Sequence, residues 1–206
     1  MTKLHAIAKG LGATLLLASA STAFAETVNV PATLTVDNTI DFTTTGTLDF
    51  GTVRATPDNT TAANCVGLTM PANPALALNA TLGTAGAVAC TAAGTSVLQA
   101  VGGTPTRPEF SIAGVAAFTT LTLTLPTTVD LTTTAPAGSP IFRLVDFTAY
   151  RTSGTPAAVT TTVQVDGSGN ATFNVGATLL TDPGTPTTSA YENAAYTGNF
   201  DVQVAF

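Results

Sequence analysis

The chain is 206 residues long and 45% of it is hydrophobic, enough for one sizeable β-sandwich core or two small ones. Only 9% of the residues are charged, six Lys and Arg against twelve Asp and Glu, and the formal net charge of −6 excludes the basic footprint of a nucleic-acid or anionic-membrane binder. Thr supplies about a fifth of the chain and no Lys follows Lys9, so a β-branched residue dominates, straight-chain helix formers are scarce, and long helices are excluded.

Residues 1–25 read as a cleaved signal peptide. Lys3 and Lys9 make a basic start, Leu11 to Ala20 is a short apolar run, and Ala23-Phe24-Ala25 is the small-x-small pattern of a signal peptidase site, so cleavage leaves Glu26 first. The apolar run is about half the ~20 residues that a spanning helix needs, and no later stretch is long enough, so no membrane insertion is expected. No Cys follows the run, which argues against a lipid anchor. Removing the leader removes both Lys and the only histidine, His5, and leaves four Arg against twelve acids, a formal charge of −8. The expected location is the periplasm, the cell surface or the extracellular space.

Residues 26–206 read as a single all-β domain, an antiparallel β-sandwich of Ig-like or pilin-like kind. Thr27 to Val36 places Val28, Val30, Ala32, Leu34 and Val36 at alternate positions, which predicts a strand with one apolar face. Two placements are open for it: the first strand of its own sheet, or a strand donated to a neighbouring subunit through Val28, Val30, Leu34 and Val36. Thr47 to Val53 predicts a second strand, with Leu48 and Phe50 on one face and Gly51 marking a bulge or a close backbone approach. From Ala55 to Gly103, Gly, Ala, Pro and Asn interrupt every apolar run, and the stretch reads as a long, partly stranded excursion. It holds Cys65 and Cys90, the only cysteines. In an exported chain these most simply form one disulfide, stabilising by roughly 3 kcal/mol, the alternative being two free thiols.

After Pro108 the alternation sharpens. Phe110 and Ile112, Leu121 to Leu125, Val129 and Leu131, Phe142 and Leu144, Val163 and Val165, and Phe173 and Val175 form short runs divided by turn residues. Asp166-Gly167-Ser168-Gly169-Asn170 between two such runs predicts a β-hairpin. Phe200, Val202, Val204 and Phe206 predict a terminal strand that must be inserted in a sheet to bury its side chains.

The inventory for chemistry is thin. A Ser or Thr nucleophile needs a neighbouring base, and with no His and no Lys after the leader the usual acyl-transfer arrangements are unavailable, so no catalytic residue is assigned. Paired carboxylates are present in number, but a glycosidase also needs sugar platforms, and the chain has no Trp and three Tyr. Asp166, Ser168 and Asn170 alternate as in a calcium loop, yet Ala171 stands where the sharp-turn Gly belongs and Ala177 where a bidentate Glu belongs. Two Cys without a His do not close a zinc site, so no metal and no cofactor is expected.

Gly46-Thr47-Leu48-Asp49-Phe50-Gly51-Thr52-Val53, Phe110-Ser111-Ile112-Ala113-Gly114, Leu121-Thr122-Leu123-Thr124-Leu125-Pro126, Val145-Asp146-Phe147, Ala171-Thr172-Phe173-Asn174-Val175-Gly176 and Tyr196-Thr197-Gly198-Asn199-Phe200-Asp201-Val202 occur in this order. The ordered set resembles a family of secreted bacterial proteins catalogued as a domain of unknown function, family 4402. The resemblance implies an exported all-β domain similar to pilin or spore-coat-type sandwiches, with no catalytic residues to carry over. The long stretch from Ala55 to Gly103 departs from it. The terminal strand also resembles that of pilins exported with a chaperone, although Ala205 stands where those pilins carry an aromatic.

The expected function is that of a secreted structural or adhesive surface protein, a fimbrial, filament or matrix subunit joined by β-strand addition to copies of itself or to other envelope proteins. The alternative is a monomeric binding module, for example for a polysaccharide, drawing on Phe42, Phe118, Tyr150, Tyr191 and Tyr196. No nucleic-acid partner is expected.

Overall fold

A computed structural model describes residues 27–35, 39–81, 84–85 and 88–206. The expected signal peptide, residues 1–25, and Val36 lie outside the described residues. The chain divides into two units, residues 1–36 and residues 37–206. In the first unit, residues 27–35 form no strand and are exposed throughout, unlike the strand expected over Thr27 to Val36.

The second unit is all-β, with no helix among the described residues. Its strands in chain order are β1 (Asp41–Thr45), β2 (Thr52–Thr56), β3 (Gly67–Met70), β4 (Asn79–Thr81), β5 (Thr84–Ala85), β6 (Val88–Ala89), β7 (Val97–Gly102), β8 (Glu109–Ala113), β9 (Thr120–Thr124), β10 (Val129–Leu131), β11 (Phe142–Arg151), β12 (Ala157–Val159), β13 (Thr162–Gln164), β14 (Ala171–Leu180) and β15 (Gln203–Ala205). These strands pair antiparallel throughout.

The two ten-residue strands β11 and β14 pair along their length and are the spine of an eight-stranded sheet. Because each is about twice the usual strand length, one edge of β14 takes β8 at Ala171 to Asn174 and then β3 at Ala177 to Leu180. The far edge of β11 likewise takes β10 at Phe142 to Leu144 and β12 at Ala149 to Arg151. Gly176 sits where these neighbours change over. A Cβ there would fall 2.2 Å from the Met70 carbonyl oxygen, so only glycine lets that backbone pass.

Residues Ala171, Phe173, Val175, Ala177 and Leu179 share one face of β14, all at most 3% exposed. The first three pack against the three-stranded sheet β13-β9-β15 through Leu121, Leu123, Val163 and Val165, which makes a sandwich. Phe42, Phe110 and Phe173 stack in series across neighbouring strands, with ring centroids 5.5 and 5.4 Å apart. Ala177 and Leu179 belong to a second core, with Leu68, Met70, Phe142 and Leu144, which the β2-β7 pair covers through Val53, Ala55 and Leu98, with Phe50 just ahead of β2.

The stretch from Ala55 to Gly103 is partly stranded and holds the disulfide, and its strands are built into the sheets. It supplies β3 to the main sheet and β7 to the cover of the second core. Its weak pattern has a physical cause: β3 is short, with Leu68 and Met70 its two large apolar residues, and the links on either side are held by the Asp58 hydrogen bonds and the disulfide. Gly51 does mark a close approach, with a φ of +75° and a Cβ position 2.6 Å from the Gly102 carbonyl oxygen. Thr47 to Gly51 is not a strand, however. Asp49 makes a single bridge to Thr106, and pairing begins at Thr52.

The predicted hairpin at Asp166 to Asn170 is a turn but not a hairpin. Asp166 Oδ1 accepts the Ser168 and Asn170 amides at 2.8 and 3.0 Å, yet β13 pairs with β9 while β14 pairs with β8, β11 and β3. Both flanking runs are buried on one face, so they satisfy that burial by facing each other across the core instead of lying side by side.

Candidate functional site

Cys65 and Cys90 are bonded to each other, closing a span of 25 residues, and pack with Val145 and Leu180 on the outer face of the main sheet. Beside them Asp58, 2% exposed, gathers its neighbours. Its Oδ1 accepts from the Thr60 amide at 2.8 Å, the Thr60 hydroxyl at 2.6 Å and the Thr61 amide at 3.1 Å. Its Oδ2 accepts from Asn64 Nδ2 at 2.9 Å and the Thr95 amide at 3.2 Å, while its own amide donates to Ser96 Oγ. The Thr60 and Asn64 donors hold the carboxyl well below the ordinary carboxylate range. Asp58 and the disulfide thus tie residues 58–65 to residues 90–96. The sequence pattern did not single out Asp58, although Asp58-Asn59-Thr60 is an Asx-turn signature.

The aromatics expected to serve a binding module do not form one platform. Phe42 belongs to the core stack, Phe118 is exposed at φ +59°, and Tyr150 lies half-buried on β11. Tyr191 and Tyr196 do come together with Phe142, at 4.2 Å stacked and 5.0 Å edge-on. They line a cavity of about 410 Å³ whose wall includes Phe50, Asp49 and Glu192. Their hydroxyls are already engaged: Tyr191 donates to the Ile141 carbonyl and accepts the Asp182 amide, and Tyr196 accepts the Glu192 amide. Burial raises the Tyr191 phenol far above its usual range, so it stays protonated. Among the described residues no three His, Cys, Asp or Glu side chains are grouped to hold a metal.

The expected exchange segment presents Val28, Val30 and Leu34 at 79, 76 and 87% exposure. In the second unit, two sheet edges carry half-buried apolar residues over the same core: β1 with Phe42, and β15 with Val204, continued by Phe200 and Val202. The terminal strand is shorter than its alternation implies, since only residues 203–205 pair, with β9, and Phe206 is 64% exposed.

Neither the curated proteins nor the solved structures contain a match to the chain. The profile of one family covers residues 69–206, two thirds of the chain, and so takes in β4 to β15 and Cys90 but neither Cys65 nor the exposed segment at 27–35: the chain belongs to the family described as Domain of unknown function (DUF4402).

Proposed function

We propose that the protein is an exported structural or adhesive surface subunit, not an enzyme, which joins other copies of itself by β-strand addition. Residues 28–36 are the donated strand, and the free edge of β15 in the next copy is the acceptor. The observation that carries this reading is the exposure of Val28, Val30 and Leu34 in a segment that forms no strand in its own chain. A water-exposed run of alternating aliphatic side chains is unfavourable in a lone soluble chain and becomes favourable once one face is covered.

The acceptor follows from β15. It is an edge strand, its other side is unpaired among the described residues, and Phe200, Val202 and Val204 are covered only by half. Natural edges are commonly blunted by Lys, and this chain has none after Lys9. Pro31 would stand on the outward side of the donated strand, where its missing amide costs least at a sheet edge. Export is consistent with the basic, apolar, small-residue pattern of residues 1–25 and with the disulfide.

The test is the mass of the protein lacking residues 1–25, measured by light scattering under native conditions. Assemblies larger than one chain are expected, and V28D with V30D should reduce them to monomer. A monomer before substitution overturns the reading. The rival reading, a glycan-binding module, draws on the Tyr191-Tyr196 cavity, but there the rings cover one another and their hydroxyls are spent on backbone.

A further inference from the structure

Arg151 is the last residue of β11, opposite Phe173 of β14 and Ala157 of β12. Ala149, two residues earlier, faces the core, so alternation turns the Arg151 side chain into the space between the sheets. There it meets the mouth of the sandwich, a cavity of about 310 Å³. Thr120, Thr155, Thr162 and Gln164 supply polar groups to its wall, and Val159 supplies an apolar one.

The other arginines are used differently. Arg143 is clamped by Asp130, Arg107 donates to the Pro71 and Leu76 carbonyls, and Arg54 is exposed on β2. Among the described residues Arg151 forms no ion pair, and its Nε is enclosed without an acceptor. A buried N–H donor is almost always paired, while the rest of the half-exposed guanidinium reaches the cavity. Asp166 is near enough for its carboxyl to feel the guanidinium charge but makes no ion pair with it.

We infer that this mouth binds a carboxylated sugar, a hexuronate residue, with Arg151 holding the carboxylate. The guanidinium fork matches a carboxylate in geometry. With the Asp166 carboxylate nearby and a chain of net negative charge, the site favours a singly charged carboxylate over a doubly charged phosphate monoester. The Thr hydroxyls and the Gln164 Oε1 around the fork suit a polyhydroxylated ring, the Gln164 Nε2 being given to the Phe118 carbonyl, and Val159 suits its C–H face. The volume is at the small end for ligand sites and fits one sugar residue.

The test is an equilibrium titration of the protein with D-glucuronate, D-glucose and acetate, followed by saturation-transfer NMR on the sugar protons. Glucuronate is expected to bind saturably, at least tenfold more tightly than either glucose or acetate. R151Q should weaken it at least tenfold, and R54Q should leave it unchanged. Acetate binding as tightly as glucuronate overturns the sugar assignment. Absence of saturable binding, or equal affinity in a folded R151Q, overturns the site. Should R151Q fail to fold, an arginine-blocking reagent applied to the folded R54Q protein replaces it, with the modified residues mapped by mass spectrometry: loss of glucuronate binding in step with modification of Arg151 supports the site, and retention with Arg151 modified overturns it.

Discussion

Leu144 and Phe147 lie on the same side of β11 although they are three residues apart, because the strand carries one extra residue between them. Val145 stands opposite Thr178 and Thr148 opposite Gly176, so three steps on β11 match two on β14, and Asp146 at φ +49° takes up the difference. The bulge lets one strand serve both cores: Phe142 and Leu144 face the second, Ala149 faces the first, and Phe147 packs against each.

Position 146 should therefore be ruled by backbone and not by charge alone. D146G and D146V both remove the carboxylate, but valine is a genuine outlier at positive φ. D146V is expected to be less stable than D146G by about 1–2 kcal/mol in urea unfolding. Equal stability would mean that the bulge relaxes without cost.

Asp58 predicts an acid limit. Its carboxyl is depressed in the folded protein from an ordinary value of 3.8, so its contribution is fully present above that value and is lost as pH falls below it. D58N would turn an amide toward the Asn64 Nδ2 and Thr95 amide donors. The variant should melt at a lower temperature than the parent at pH 7, and the gap should narrow below pH 4. D166N, whose carboxylate is exposed, should cost less.

Removing the disulfide with C65S and C90S together should cost roughly 3 kcal/mol by denaturant unfolding, from the loop it closes. The loss should fall on the contacts between residues 58–65 and 90–96, read as faster amide exchange at Thr91 and Thr95. Uniform loss of protection across β14 instead would show that the two tethers act on the whole sandwich.

The all-β class, the disulfide and the strands after Pro108 were legible because each has a local signal: composition, two cysteines, and apolar alternation with one buried face. β1 was not, since Asp41-Phe42-Thr43-Thr44-Thr45 carries one apolar residue, as an exposed edge strand can. β3 was not, because its alternation is short, with Leu68 and Met70 its two large apolar residues before Pro71 ends the run. The role of Asp58 depends on Asn64 and Thr95, and that of Arg151 on Thr120 and Thr162, partners that only the fold brings near. Nor does periodicity reveal whether two adjacent runs pair or face one another, which is why the hairpin expected at Asp166 is not one.

The proposed loan of an N-terminal segment from one copy to the next can be isolated by binding a fluorescent peptide spanning residues 26–37 to protein lacking residues 1–37, followed by anisotropy and light scattering. The truncated protein should be a monomer that takes up one peptide per chain, and a peptide carrying V30D should not bind. Continued self-assembly of the truncated protein, or indifference to both peptides, would contradict strand donation.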